Sequence, residues 1–99
     1  MALTVEELTI AYEENGLEMV KEIDKAVLSK GAWATVVFRY QEWDKAKKVY
    51  GADKYSIRRY KKSGGDYRQQ SKFTISSPDQ ARKLIEVLQN WLPREEGRL

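Results

Sequence analysis

Cationic side chains are concentrated between residues 29 and 76, a segment that also holds most of the aromatic rings. This segment has twelve Lys and Arg against four Asp and Glu, whereas residues 1–28 have two basic and seven acidic side chains. Residues 77–99 are balanced, and the whole chain carries a formal net charge of +3. Positive charge gathered in this way is typical of proteins that bind polyanions. The structural alternative is a basic face that only contacts solvent.

The sequence contains neither His nor Cys. Zinc sites of the usual kind, Ser–His and Cys–His dyads and imidazole acid–base chemistry are therefore excluded. An active site built only from carboxylates is still possible, and Glu42 with Asp44 is a weak candidate for its catalytic pair. We predict a protein that is not an enzyme and needs neither a metal nor another cofactor.

Four β-strands and one helix are expected to position the cationic residues. Residues 33–43, 55–60 and 67–75 are rich in β-branched and aromatic residues, which favour strands. Gly64 and Gly65 lie between the last two and supply the positive φ angles of a hairpin turn. Residues 44–54 are expected to form a longer basic loop.

The N-terminal part can be interpreted in two ways. Residues 4–7 resemble a capping box that opens a helix ending near Asn15-Gly16. The same Asn-Gly pair is also a strong hairpin turn, after which residues 18–28 form a strand. We favour the strand for residues 18–28 and leave residues 1–15 open.

The C-terminal helix has the clearest signal. Ser77 is expected to cap it, Pro78 to occupy its first position and Gln80 to close a capping box, while Pro93 ends it. Apolar residues then follow at helical spacing and form one stripe. The stripe contains Ala81, Leu84, Ile85, Leu88, Trp91 and Leu92.

Side-chain alternation divides the last two strands into two faces. Ile57, Phe73 and Ile75 mark the side that we expect to face the core. If Ile57 pairs on the side of Phe73 and Ile75, the opposite face of the two strands carries three cations, an amide and a phenol ring. These residues are Arg58, Tyr60, Arg68, Gln70 and Lys72.

Cations interleaved with rings on strands favour single-stranded nucleic acid, mainly DNA, with RNA left open. Lys and Arg bind phosphates partly by releasing counterions, and exposed rings stack on unpaired bases. Duplex DNA is more often read by a helix, and the expected helix is charge-balanced. The predicted binding residues are Arg39, Trp43, Lys45, Lys47, Lys48, Arg58, Tyr60, Lys61, Lys62, Arg68, Gln70 and Lys72.

The aromatic residues also have a purely structural interpretation. Trp33, Phe38 and Trp91 are expected in the core or at an interface, because aromatic rings usually pack. Tyr40 and Trp43 fit either role. A rival function from another class is a protein-interaction module whose basic sheet face docks an acidic partner.

The sequence resembles the single-stranded-DNA-binding domain of the transcriptional positive cofactor four family. The family pattern Ile/Val-x-Ile-Arg-x-Tyr/Trp is matched by residues 55–60, and Phe38-Arg39 corresponds to its second strand. Lys72 followed by Ser-Pro-Asp-Gln at residues 77–80 matches the passage from its fourth strand into its helix. The family turn Pro-Gly-Arg/Lys-Lys-Gly is absent here, and residues 1–16 have no counterpart.

The resemblance, which covers about residues 20–92, implies an α+β fold. In this ββββα fold, a curved four-stranded antiparallel sheet is followed by the helix. It also implies a transcription-coactivator-like role, with Arg39, Arg58, Tyr60 and Lys72 at family binding positions. The family dimerises through its helices, so Leu84, Leu88 and Trp91 are the expected homodimer interface.

We expect one domain over residues 1–99. It would consist of an N-terminal extension (1–16), a nucleic-acid-binding core (17–92) and a flexible tail (93–99). No apolar run approaches the ~18 residues that a bilayer span needs, and no signal peptide is evident. The expected location is cytoplasmic, associated with the nucleoid if the source is bacterial, and no membrane partner is expected.

Overall fold

A computed structural model of the protein describes residues 4–93. A short 3₁₀ turn, Val5–Glu7, is followed by strands β1 (Tyr12–Glu14), β2 (Leu17–Ser29), β3 (Trp33–Asp44), β4 (Val49–Tyr50), β5 (Lys54–Ser63) and β6 (Asp66–Ile75), and by helix α1 (Pro78–Trp91). The strands form one antiparallel sheet in the order β1-β2-β3-β5-β6, with β4 paired to β3. The predicted α+β class, a curved antiparallel sheet with a C-terminal helix, is confirmed.

The expected number of four strands is wrong, because two short strands are added. Asn15 and Gly16 have φ angles of 52° and 81°, so they form the hairpin turn that creates β1 beside β2. Within the expected basic loop, Val49 and Tyr50 pair with Asp44 and Trp43 and form β4. The helix considered for residues 4–15 is reduced to one 3₁₀ turn, in which Glu7 Oε1 accepts a hydrogen bond from the Thr4 amide at 3.0 Å.

The hydrophobic core lies on one side of the sheet, beneath residues 4–10, which we call the strap. Val5, Leu8 and Ile10 of the strap are buried. They pack against a set of strand residues, namely Ala34, Val36, Phe38, Tyr40 and Tyr60. Burying each strap side chain is worth about 1.5–3 kcal/mol. We call this side of the sheet the strap face and the opposite side the open face.

Polar contacts fix the strap on β2. Lys25 Nζ donates to the carbonyl oxygens of Val5, Glu6 and Leu8 at 3.4, 2.8 and 2.6 Å. Glu22 Oε1 accepts from Thr9 Oγ1 at 2.6 Å and from the Ile10 amide at 3.3 Å. The N-terminal segment, which the sequence left open, is therefore an integral part of the core.

Helix α1 begins with the predicted Ser77 cap and Pro78, but Gln80 bonds to Ser76 and not to the amide of Ser77, so the predicted capping box is not formed. The Gln80 amide donates to the Ser77 hydroxyl at 3.1 Å, and the Gln80 side chain accepts from the Ser76 amide at 3.0 Å. No residue of α1 is buried. Its apolar stripe is therefore largely uncovered, with Leu88 43% and Trp91 78% exposed.

Two further predictions concern the ends of the molecule and its environment. Apart from Pro93, the expected flexible tail at residues 93–99 lies outside the described residues. Over residues 4–93, no helix has the length and apolar character needed to cross a membrane.

Candidate nucleic-acid interface

The β5–β6 hairpin carries the densest positive charge of the molecule. Residues 54–75 contain seven Lys and Arg and a single acid, Asp66. Gly64 and Gly65, with φ angles of 59° and 88°, form the turn that brings the two strands together. Six of the cations lie on the part of the hairpin nearer the turn and make no ion pair with any residue in the range 4–93. They are Arg58, Arg59, Lys61, Lys62, Arg68 and Lys72.

The strand register divides these cations between the two faces. Arg58 pairs with Lys72 and lies opposite the core residue Val36, which places both cations on the strap face. Lys61 pairs with Arg68 and lies opposite Trp33, on the open face. The predicted pairing of Ile57 with Phe73 is present.

A β-bulge places Arg68 on the face opposite the one that we predicted. Arg59 pairs with Ser71 and Tyr60 with Gln69, so Gln70 is an extra residue on β6. An extra residue reverses the side-chain alternation beyond it. Arg68 therefore lies on the face opposite Arg58 and Lys72, and the predicted single five-residue face is wrong.

The predicted core and binding faces are also wrong for most of their residues, although Ile75, expected in the core, is buried. Phe73, expected in the core, is 57% exposed on the open face, whereas Tyr60 is only 5% exposed beneath the strap. Burial disfavours the phenolate and so raises the pKa of Tyr60. With the strap in place, the Tyr60 ring packs in the core and is covered from any stacking base.

Arg58 is held in place at the margin of the strap face. Its Nε donates to Ser56 Oγ and its Nη1 to Gln69 Oε1, both at 3.1 Å. The guanidinium carbon lies 6.0 Å from the centroid of the Phe38 ring. Arg58 is half-buried and oriented, while its partner Lys72 on the edge strand is exposed. An oriented cation therefore lies beside an exposed one.

Other predicted residues lie apart from the hairpin. Arg39, on the open face, donates from Nε to Asp53 Oδ2 at 2.6 Å, and Gln41 donates to Oδ1 of the same carboxylate at 2.8 Å. These two hydrogen bonds, with Gln41 as the larger influence, lower the pKa of Asp53, and the carboxylate raises the pKa of Arg39. Arg39 is thus paired with an acidic side chain, unlike the six cations of the hairpin.

The lysines of the β3–β4 connection are at the opposite end of β3. Trp43 packs edge-on against Tyr50, with ring centroids 5.1 Å apart. Lys45, Lys47 and Lys48 are exposed around this turn. The hairpin cations lie opposite residues 33–36, seven to ten residues along β3 from Trp43, so these lysines lie roughly 20–30 Å from the hairpin cluster. One short segment of a ligand cannot reach both.

Sequence reasoning missed three residues of the hairpin region, namely Trp33, Arg59 and Tyr67. Trp33, assigned to a core or interface, is 41% exposed, and the Arg59 guanidinium carbon lies 4.5 Å from its ring centroid. Lys62 Nζ lies 5.6 Å from the ring of Tyr67, whose hydroxyl donates to the Gly31 carbonyl at 2.6 Å. The alternation of β5 placed Arg59 on the expected core side, which is why it was passed over.

Neither a metal-binding group in the described part of the chain nor a match among known proteins was found. Within residues 4–93, no group of three or more acidic, His or Cys side chains is arranged to hold a metal ion. Comparison with known proteins gives no match to a family model, to a curated protein or to a solved structure.

Proposed function

We propose that the protein binds single-stranded nucleic acid, mainly DNA, with low sequence specificity and without catalysis. The observation that carries this proposal is the hairpin cluster of six cations, which have no acidic partner among the described residues. Like charges held this close together repel one another in the free protein. A polyanion relieves that repulsion and releases its own counterions when it binds.

A single strand fits this surface better than a duplex does. The cations project from a two-stranded hairpin among exposed rings, and each ring can stack on an unpaired base of any kind. Helix α1, the element that a duplex reader would insert into the major groove, has two acidic and two basic residues between Pro78 and Trp91. Low specificity follows because phosphate contacts and stacking are common to all bases.

The resemblance to the transcriptional positive cofactor four family supports the same class of function. On this basis we extend the proposal to an intracellular, transcription-coactivator-like role. We also propose a homodimer formed through α1, since the stripe containing Leu84, Leu88 and Trp91 is largely uncovered, with only Leu84 half-buried. A second copy would remove this apolar surface from water.

A salt-dependent titration with single- and double-stranded oligonucleotides of equal length tests the proposal. We expect tighter binding of the single strand, with log affinity falling linearly against log salt by about 0.7 per phosphate contact. Equal affinity for the two forms, or no salt dependence, would contradict it. Binding heparin as tightly as the single strand would instead favour the module that docks an acidic protein.

The double substitution Arg58→Ala and Lys72→Ala tests whether the hairpin carries the binding. Loss of both phosphate contacts should weaken binding and reduce the salt slope by about 1.4. Arg82→Ala with Lys83→Ala on α1 is the matched control, because it removes the same charge away from the hairpin. If both double variants lose affinity equally, net charge rather than the hairpin determines binding.

A further inference from the structure

Trp33 lies where an exposed ring and a row of cations meet on the open face. It is the first residue of β3 and pairs with Lys61 of β5, which pairs in turn with Arg68 of β6. The adjacent row contains Arg59 between Thr35 and Ser71. These two rows contain no acidic residue. They span two strand spacings, or about 10 Å, from the indole to Arg68.

The two cations nearest the indole are already close to its ring. The Arg59 guanidinium carbon is 4.5 Å and Lys61 Nζ is 5.5 Å from the ring centroid. Such cation–π contacts hold the long side chains over the ring. Even so, 41% of Trp33 stays exposed, and no strap residue covers this face. The cluster therefore presents a partly exposed ring to solvent, with positive charge next to it.

Other exposed rings lack this combination. Tyr12, 55% exposed, lies on the acidic strand β1, and its hydroxyl donates to Glu14 Oε2 at 3.4 Å. Trp91 lies on the charge-balanced helix α1. Phe73 lies in the apolar row with Ile57 and Val37. Trp33 is thus the ring best suited to a base whose phosphates need cations nearby.

We propose that Trp33 is a stacking platform for an unpaired base, and that Arg59, Lys61 and Arg68 bind the flanking phosphates. The inference rests on the proposed function and makes it more specific, because it assigns the path of the bases to the open face. On the strap face, Arg58 and Lys72 can then contact phosphates at the margin, but no base can stack there because the Tyr60 ring is covered by the strap.

The test compares Trp33→Ala with the wild type on two ligands, an oligothymidylate and an abasic strand with the same number of phosphates. Stacking on one base is worth about 1–3 kcal/mol. We therefore expect Trp33→Ala to lose between about 5-fold and 100-fold in affinity for oligothymidylate. Its affinity for the abasic strand should not change. Tyr12→Ala, which removes an exposed ring from the acidic edge, should bind both ligands as the wild type does.

A second measurement leaves Trp33 intact. In the variant Trp43→Phe with Trp91→Phe, Trp33 is the sole tryptophan. Its fluorescence should be quenched by oligothymidylate and much less by the abasic strand. Unchanged fluorescence at saturation, or wild-type affinity of Trp33→Ala for oligothymidylate, would overturn the inference while leaving the proposed function intact. A wild-type protein that binds neither ligand would overturn both.

Discussion

At the scale of single residues, the face of the sheet on which an aromatic ring lies decides whether the ring is buried or exposed. Phe38 on β3 is fully buried beneath the strap, whereas Phe73 on β6 is 57% exposed. The two residues are chemically identical and two strands apart in the same sheet. Their different environments arise from strand alternation and from the strap, which covers one face only.

Substituting the two phenylalanines in turn measures this difference. Phe38→Ala should lower the free energy of unfolding by about 3–5 kcal/mol, because it leaves a cavity in the core. Phe73→Ala should change it by about 0.5 kcal/mol or less, as surface substitutions do. Urea unfolding of both variants checks the prediction. Equal losses would show that the open face is covered in solution.

Residue types in the sequence indicated the chemistry of the site but not its accessible members. The cations of β5 and β6, and the pairing of Arg58 with Lys72, followed from alternation and the glycine turn. Tyr60 and Trp33 exchanged roles, since both are aromatic residues at strand positions next to cations. Only the strap distinguishes them, and its apolar residues at 5, 8 and 10 have no regular period that predicts where they pack.

At the scale of elements, the predicted strands and helix are present, and the differences come from local irregularities. β3, β5 and β6 were predicted from their β-branched and aromatic residues, β2 from the Asn-Gly turn before it, and α1 from its capping residues and helical spacing. The bulge at Gln70 lies in a run of polar residues, where no apolar alternation fixes the register. β4 has only two residues, too few to show a period. The sequence pattern therefore predicted the main elements but not the bulge that places Arg68 on the opposite face of the sheet.

The strap is the element that most determines which face is open, and Lys25 is its main polar anchor. Lys25→Met keeps most of the length of the side chain but removes the ammonium that reaches three strap carbonyls. Hydrogen bonds to charged groups contribute about 1.5–3 kcal/mol. We expect the amides of residues 5–10 to exchange hydrogen about 10- to 100-fold faster, while those of β3 change little.

Hydrogen exchange resolved by residue is the appropriate measurement, because it separates local release of the strap from global unfolding. Lys45→Met is the control, since it removes an exposed cation far from the strap. Equal acceleration over the strap and β3 would show that Lys25 supports the whole fold instead of anchoring the strap.

At the scale of the whole molecule, charge and apolar surface are separated. The β1–β2 side carries most of the acidic residues of the N-terminal part, and the β5–β6 side carries the cationic cluster. The molecule measures 52 × 38 × 20 Å, so it is a thin slab with one covered face. Helix α1 adds an uncovered apolar stripe at the β6 side. A thin slab with such a stripe would gain stability if the proposed second copy covered it.

Replacing one residue of that stripe with a charge tests the homodimer. We expect sedimentation equilibrium to give a dimer for the wild type at micromolar concentration and a monomer for Leu88→Glu, because an unpaired carboxylate is costly to bury. Val49→Glu is the matched control: Val49 is 52% exposed on β4, away from α1, so this variant should stay dimeric. The wild-type melting temperature should rise with protein concentration, and that of Leu88→Glu should not. A monomeric wild type, or a Leu88→Glu variant that still dimerises, would show that α1 is not the interface.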